Sequence, residues 1–303
     1  MTRILVIMAT YNGEKYLSEQ MDSIFNQKEV TCSVLVRDDG SKDNTLSILK
    51  NYQRDQDLTW YQGSHAGVAD GYYELMEKAS SGEFFHSFDY IAFSDQDDVW
   101  DNDKLITAAV ALRKMSDNRP ALYYCGQRLT DEKLNIIGDH TLNSERSLKT
   151  RFVLSDFAGC TGVFNKKLLL EVVSYKPKYM LMHDSWILRV CLAIGGTVIV
   201  DPEAHMCYRQ HGNNTLGLEH SLRADLKQVN QYLNMYHIEP LMKELKNGYR
   251  DKLVEPYREI IEWICDYRTN REHKKKLLDK SNVDFCNRGL NLTYQLKVRL
   301  NKL

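Results

Sequence analysis

The chain is 303 residues long, enough for one large α/β domain or one domain with an appendage. Hydrophobic residues make up 43% and charged residues 27%, a globular profile, and the net charge of −1 excludes a general polyanion binder, so no nucleic-acid partner is expected. The seven cysteines are an odd number without a Cys-x-x-Cys pair, which argues against a disulfide framework or a zinc centre and for a reducing compartment.

The apolar run at the N-terminus is too short for a signal peptide and leads into a turn. The longest apolar stretch, residues 190–200, is broken by Gly195-Gly196 and cannot cross a bilayer. A cytoplasmic protein is expected.

Residues 4–9 are apolar on both faces and read as a central parallel strand. Thr10-Tyr11-Asn12-Gly13-Glu14 ends it, with Asn12 placed to cap a helix whose apolar positions are Tyr16, Leu17, Met21, Ile24 and Phe25. Residues 33–36 form the second strand, closed by Arg37-Asp38-Asp39-Gly40-Ser41. A helix from about residue 43 follows, carrying Leu46, Ile48, Leu49 and Tyr52. Residues 58–61 are a third strand, 67–79 a third helix, and 90–93 a fourth strand ending in Ser94-Asp95-Gln96-Asp97-Asp98-Val99-Trp100. This alternation predicts an α/β fold with an open, mostly parallel sheet, in which ligands sit beyond the carboxyl ends of the strands. Three polar motifs fall at those ends and are expected to converge on one crevice.

The second half is less regular. Strands are predicted at 121–125, at the Gly-rich 157–164 and at 197–200. Helices are predicted at 166–173 and from His183-Asp184-Ser185-Trp186 to about residue 193, and Tyr208-Arg209-Gln210-His211 follows. From residue 218, Leu222, Leu226, Val229 and Leu233 recur at helical spacing, and residues 255–263 repeat the pattern. The expected division is a domain over 1–217 and a helical region over 218–303. The region beyond Arg268 is basic and mixed with Phe285, Leu290, Leu292, Tyr294 and Leu296. That permits a solvated face or contact with an anionic membrane surface.

Carboxylates at the end of a buried strand are costly unless neutralised, and a divalent cation does this with oxygen ligands. Asp95 and Asp97, two apart, point the same way if the chain is extended. A calcium loop is excluded, because its sixth and twelfth positions would hold Trp100 and Ile106. The bland reading is a solvated loop with Asp101 or Asp103 capping a helix. Asp39 is a candidate acceptor for a base or ribose, against a plain Asp-Gly turn with Asp43 as cap. Asp184 is a candidate general base, against a plain helix cap. Arg209 suits a phosphate and His211 a metal. Cys160 reads as a small buried residue.

Together, Ala9-Thr10-Tyr11-Asn12-Gly13, Arg37-Asp38-Asp39-Gly40-Ser41, Ser94-Asp95-Gln96-Asp97-Asp98-Val99-Trp100, His183-Asp184-Ser185-Trp186 and Tyr208-Arg209-Gln210-His211 resemble the family 2 glycosyltransferases, over residues 1–217. The Asp-Gln-Asp-Asp-Val-Trp form looks most like bacterial rhamnosyltransferases of surface polysaccharide assembly. The resemblance implies the GT-A fold and an inverting transfer from a nucleotide-diphosphate sugar donor to a glycan acceptor, lipid-linked, at the inner face of the membrane. It implies that Asp184 is the base, that Asp97, Asp95 and His211 surround Mn²⁺ or Mg²⁺, and that Arg209 meets the diphosphate. Thr10, Tyr11, Asn12 and Asp39 would form the nucleoside pocket, and Gly159-Cys160-Thr161 would lie against sugar or acceptor. Two departures stand out. Gly67-Val68-Ala69-Asp70-Gly71 lacks a basic residue many relatives carry, and His183 replaces the acidic residue that often precedes the base. The alternatives are a non-catalytic nucleotide-sugar-binding protein and a sugar-phosphate nucleotidyltransferase. The latter would want a basic Gly-rich loop after the first strand.

Overall fold

The computed structural model describes residues 1–64, 67–115, 119–140, 142–211 and 237–303. Its first strand, β1 (Thr2–Thr10), runs through the middle of the main sheet. Leu5 and Ile7 enter one core while Ile4, Val6 and Met8 enter the other, and all five are fully buried. A strand buried on both faces has to be apolar along its length, which explains the unbroken run.

The chain continues through α1 (Leu17–Phe25), β2 (Val30–Asp38), α2 (Thr45–Asp55), β3 (Leu58–Gln62), α3 (Val68–Ala79), α4 (Gly82–Ser87) and β4 (Tyr90–Ser94). β2 and β4 flank β1 and run parallel to it, with β3 outside β2. Thr10 pairs with Asp38 and Met8 with Ser94, so these strands end at one edge. Then come β5 (Val99–Trp100), α5 (Lys104–Arg113), β6 (Ala121–Thr130), β7 (Ile136–His140), α6 (Leu148–Val153), β8 (Val163–Asn165), α7 (Lys166–Val173), α8 (His183–Ala193) and β9 (Thr197–Arg209).

The strand order is β3-β2-β1-β4-β8-β6-β9-β5, with β7 on β6. β8 is antiparallel to both β4 and β6, so β6 points the same way as β4, and β9 lies parallel to β6 with Arg209 opposite Thr130. One edge therefore gathers Thr10, Asp38, Ser94, Thr130 and Arg209. This mixed α/β architecture bears out the expected fold.

Three elements differ from expectation. The Gly-rich stretch is not one strand: Gly159–Thr161 is a turn of 3-10 helix and only Val163–Asn165 pairs. Phe157 folds back on Gly162 so closely that a Cβ there would lie 2.4 Å from its ring. The strand expected to stop near residue 200 runs on to Arg209, its later half masked in sequence by Asp201, Pro202 and Glu203. Asn12 does not cap α1; it has φ 48° and its Oδ1 accepts from Lys42 N at 2.8 Å.

The helical spacing at 222–233 and the boundary near residue 217 lie outside the described residues. Beyond them stand α9 (Ile238–Tyr249), α10 (Tyr257–Asp266), α11 (Arg271–Leu278) and α12 (Arg288–Arg299). Leu241 and Leu245 of α9 and Ile261 and Ile264 of α10 share a core with Trp186, Ile187 and Val190 of α8. No described helix is long and apolar enough to cross a membrane.

Candidate active site

The loops after β1 and β2 are laced together. Asn12 N donates to Ser41 Oγ, Gly13 N to Thr45 Oγ1 and Asn44 N to Glu14 Oε2, each at 2.8 Å. The two aspartates after β2 divide the work. Asp38, fully buried, accepts from Gly40 N at 3.0 Å and Ser41 N at 2.9 Å, so it builds the turn. Asp39 is left to pair with the Arg37 guanidinium. Arg37 is itself buried, bonds Glu74 at 2.8 Å, and passes under Gly63, where a Cβ would lie 2.3 Å from its Cζ.

Gln96 joins this wall to the acidic loop. Its Oε1 accepts from Thr10 Oγ1 at 2.6 Å and Tyr11 N at 3.0 Å, and its Nε2 donates to Tyr11 O at 3.2 Å. A Cβ on Gly13 would lie 2.5 Å from Gln96 Oε1, so a larger residue there would push the Gln96 amide from its bonds to Thr10 and Tyr11.

The acidic loop bends at Gln96 and Asp97 and is not extended, so the proximity of Asp95 and Asp97 does not come from strand geometry. The solvated-loop reading does not hold for Asp95 and Asp98 either. Burial and the neighbouring Asp97 push the Asp95 carboxyl up to about 7, and Tyr72 Oη, donating at 3.2 Å, partly offsets this. Asp98 lies beneath the loop, fully buried and raised well above the usual range by burial and by Asp95 and Asp97. α5 starts with no side-chain cap from Asp103.

Two donor groups result. Asp95, Asp98 and Cys160 place ligand atoms within 4.8 Å of one another, while Asp97 Oδ2 and His211 Nε2 meet at 2.8 Å. Burial and the adjoining carboxylates keep the Cys160 thiol protonated, as expected of a small buried residue. The carboxylates and imidazole fit a hard divalent cation, since adjacent buried acids of raised pKa need positive charge to ionise together.

Arg209, for which the resemblance implies a diphosphate contact, is held by protein groups. It is 2% exposed, its Nε donates to Asp97 O at 2.9 Å, one terminal nitrogen donates to Glu132 O at 2.5 Å, and the other pairs with Glu19. It lies over the Tyr16 ring at 4.4 Å, and the same ring stacks on His211 at 5.2 Å. Arg209 thus fixes the Asp97 backbone and the ring behind His211.

Asp184 stands in the first turn of α8, where the N-terminal end of the helix favours negative charge. Met182, not Asp184, is the cap residue. Its Oδ2 accepts from Gly159 N at 3.1 Å and its Oδ1 from Ser185 N. Burial nevertheless raises the carboxyl to about 6. Its charge also reaches Asp95 and helps to raise that group. His183 is buried, stacked on Tyr72 at 3.9 Å and edge-on to Phe93 at 4.7 Å, with neither ring nitrogen bonded. Burial lowers its pKa to about 3, so it is neutral beside Asp184.

Thr10, Tyr11, Asn12, Asp39, Asp95, Asp97, Asp184 and His211 are all brought to the carboxyl edge of the sheet. Sequence reasoning missed Gln96, Tyr72 and Tyr16. Tyr72 sits at a core position of a helical pattern, which carries no hint of its hydroxyl's bond to Asp95. Gln96 lies inside the quoted acidic motif, and its position between two aspartates was the available signal.

The sequence profile described as Glycosyl transferase family 2 matches residues 5–173, more than half of the chain. The dTDP-rhamnosyl transferase RfbG of Shigella flexneri is 29% identical over 251 residues, covering 78% of this chain and 82% of that protein. The GalNAc(5)-diNAcBac-PP-undecaprenol beta-1,3-glucosyltransferase of Campylobacter jejuni is 27% identical over 191 residues, covering 59% of this chain and 56% of its own length. The mannosyltransferase PcManGT of Pyrobaculum calidifontis, solved with GDP-Man and Mn²⁺, shares the fold at a TM-score of 0.59 and 17% identity, covering 99% of this chain and 86% of that one. With the strand ends and the acidic loop described, the family profile over more than half of the chain settles the family: this chain belongs to glycosyl transferase family 2.

Proposed function

We propose that the protein transfers a sugar, rhamnose or a hexose, from a nucleotide-diphosphate donor to a hydroxyl of a lipid-linked glycan, with inversion, in cell-surface polysaccharide synthesis. The observation that carries this reading is the opposition of two environments. Asp184, raised to about 6, lies close enough to the acidic loop for its charge to raise Asp95. A carboxylate of that pKa is a stronger base than an ordinary aspartate yet still ionised at neutral pH. Asp184 takes the proton of the acceptor hydroxyl as its oxygen attacks the anomeric carbon from the face opposite the diphosphate. Gly159 N and the α8 N-terminus hold the carboxylate still during that attack.

Asp95, Asp97 and His211 would hold Mn²⁺ or Mg²⁺. When bound, such an ion supplies charge neutralisation for the departing nucleoside diphosphate. Thr10, exposed Tyr11 and Asp39 receive the nucleoside, with Gln96 keeping their loop in register with Asp95 and Asp97. The donor class, the lipid-linked acceptor and the metal gain support from the names of RfbG, the Campylobacter glucosyltransferase and PcManGT. A division into a catalytic part over 1–217 and a helical part beyond it belongs to the same proposal, as does work at the inner face of the membrane.

The test is Asp184→Asn, assayed for transfer and donor hydrolysis with a panel of nucleotide sugars and Mn²⁺. Loss of turnover with donor binding retained supports the base; retained turnover refutes it.

A further inference from the structure

The last helix presents an outward face that no described residue covers. Leu292, Leu296 and Leu300, spaced by four, are 65%, 48% and 55% exposed. They form one stripe along α12, opposite the face that buries Tyr294 and Val298. Arg288 and Arg299 fall on one flank of the stripe at helical spacing, and both are exposed. Among the described residues, no carboxylate pairs with either, whereas Arg268 pairs with Glu239 and Lys275 with Glu272. Residues 268–303 hold ten Lys and Arg against three Asp and Glu, in a chain whose net charge is −1. The stripe therefore lies in the one segment of the chain with a marked basic excess.

We propose that this face of α12 docks on an anionic phospholipid surface, the three leucines entering the acyl boundary and Arg288, Arg299 and Lys302 lying among the headgroup phosphates. An exposed apolar stripe is costly in water, and unpaired basic residues beside it select a surface both apolar and negative. A second protein copy would bring its own Arg288 and Arg299 to the contact, whereas lipid phosphates neutralise them. The inference rests on the lipid-linked acceptor for its purpose. Its measurement needs neither donor nor acceptor, so the two readings fail separately.

The full chain is sedimented with vesicles of phosphatidylcholine and phosphatidylglycerol in a three-to-one ratio, and with phosphatidylcholine alone. The expected result is binding to the anionic vesicles only. Raising salt toward roughly 1 M shortens the screening length to about 3 Å and weakens that binding. The triple variant Leu292→Ser, Leu296→Ser, Leu300→Ser lowers the partition at least about tenfold, given an apolar contribution from each leucine. Arg288→Gln with Arg299→Gln lowers it too and flattens the salt dependence. The unfolding midpoint of each variant is expected to match the parent, because the stripe and its flank are exposed. Undiminished vesicle binding by the serine variant overturns the proposal. So does a lipid-free dimer that the serine variant dissolves, or equal binding to neutral vesicles.

Discussion

Gly159→Ala tests the positioning of Asp184 directly. The added Cβ would lie 2.7 Å from His183 Nε2. His183 cannot yield easily, since Tyr72 stacks on it at 3.9 Å and Phe93 meets it edge-on at 4.7 Å. The turn at Gly159–Thr161 must therefore move, and with it the N–H that Asp184 accepts at 3.1 Å. Overpacking of this kind costs about 1–3 kcal/mol of stability. A hydrogen bond to a charged group contributes about 1.5–3 kcal/mol. At about 1.36 kcal/mol per unit, its loss lifts the carboxyl by about one to two units. Asp184 would then titrate above its present value of about 6. The initial rate of sugar transfer, measured against pH at saturating donor, is expected to keep its shape while its acidic limb moves up by that amount. The donor KM stays near the parent value, because Gly159 N bonds Asp184 and not the loops after β1 and β2 proposed to receive the nucleoside. An acidic limb left in place, with an unchanged unfolding midpoint, would refute the reasoning.

Asp97→Ala is expected to abolish the thermal stabilisation given by Mn²⁺, worth about 2.7 kcal/mol at a hundredfold excess over Kd, and His211→Ala to weaken it; an unchanged shift counts against both as ligands. Arg37→Met removes the cation between Asp39 and Glu74 and is expected to cost about 3–5 kcal/mol in urea unfolding, with weaker donor binding; a loss within experimental scatter would make that network ornamental. Asp184→Asn is expected to raise the unfolding midpoint at neutral pH. The folded pKa of Asp184 lies above the unfolded value, so the folded form holds its proton more tightly and stability falls as pH rises from about 4 to about 6. The gain over the parent should shrink as pH falls toward about 4, and a gain independent of pH would point to packing instead.

The strand ends were legible because a strand buried on both faces writes an unmistakable run, as residues 4–8 do, and the polar residues after it have few reasons to be there. The same logic placed Asp39 and Asp95 at one edge, whereas Asp184, in the first turn of a helix, joined them only through the family resemblance. It failed where a residue's role depends on distant contact. Asp38 and Asp39 look alike in sequence, but only the fold assigns one to the turn and the other to Arg37. Arg209 beside His211 suggested a phosphate ligand, and nothing in the sequence reveals that Glu19, Glu132 and Asp97, from three separate parts of the chain, also converge on it. The turn at Gly159–Thr161 was hidden because its small apolar residues suit a strand equally well.

The enclosure of α8 by α9 and α10 has a bearing on how the enzyme tolerates change. The helix that carries Asp184 is clamped from behind by parts of the chain that hold no recognisable motif. Shortening or loosening that rear support should slacken Asp184, the proposed proton acceptor, while leaving the loops on β1 and β2 proposed to receive the nucleoside intact. Damage to the tail would then resemble a defect in turnover and not in donor capture.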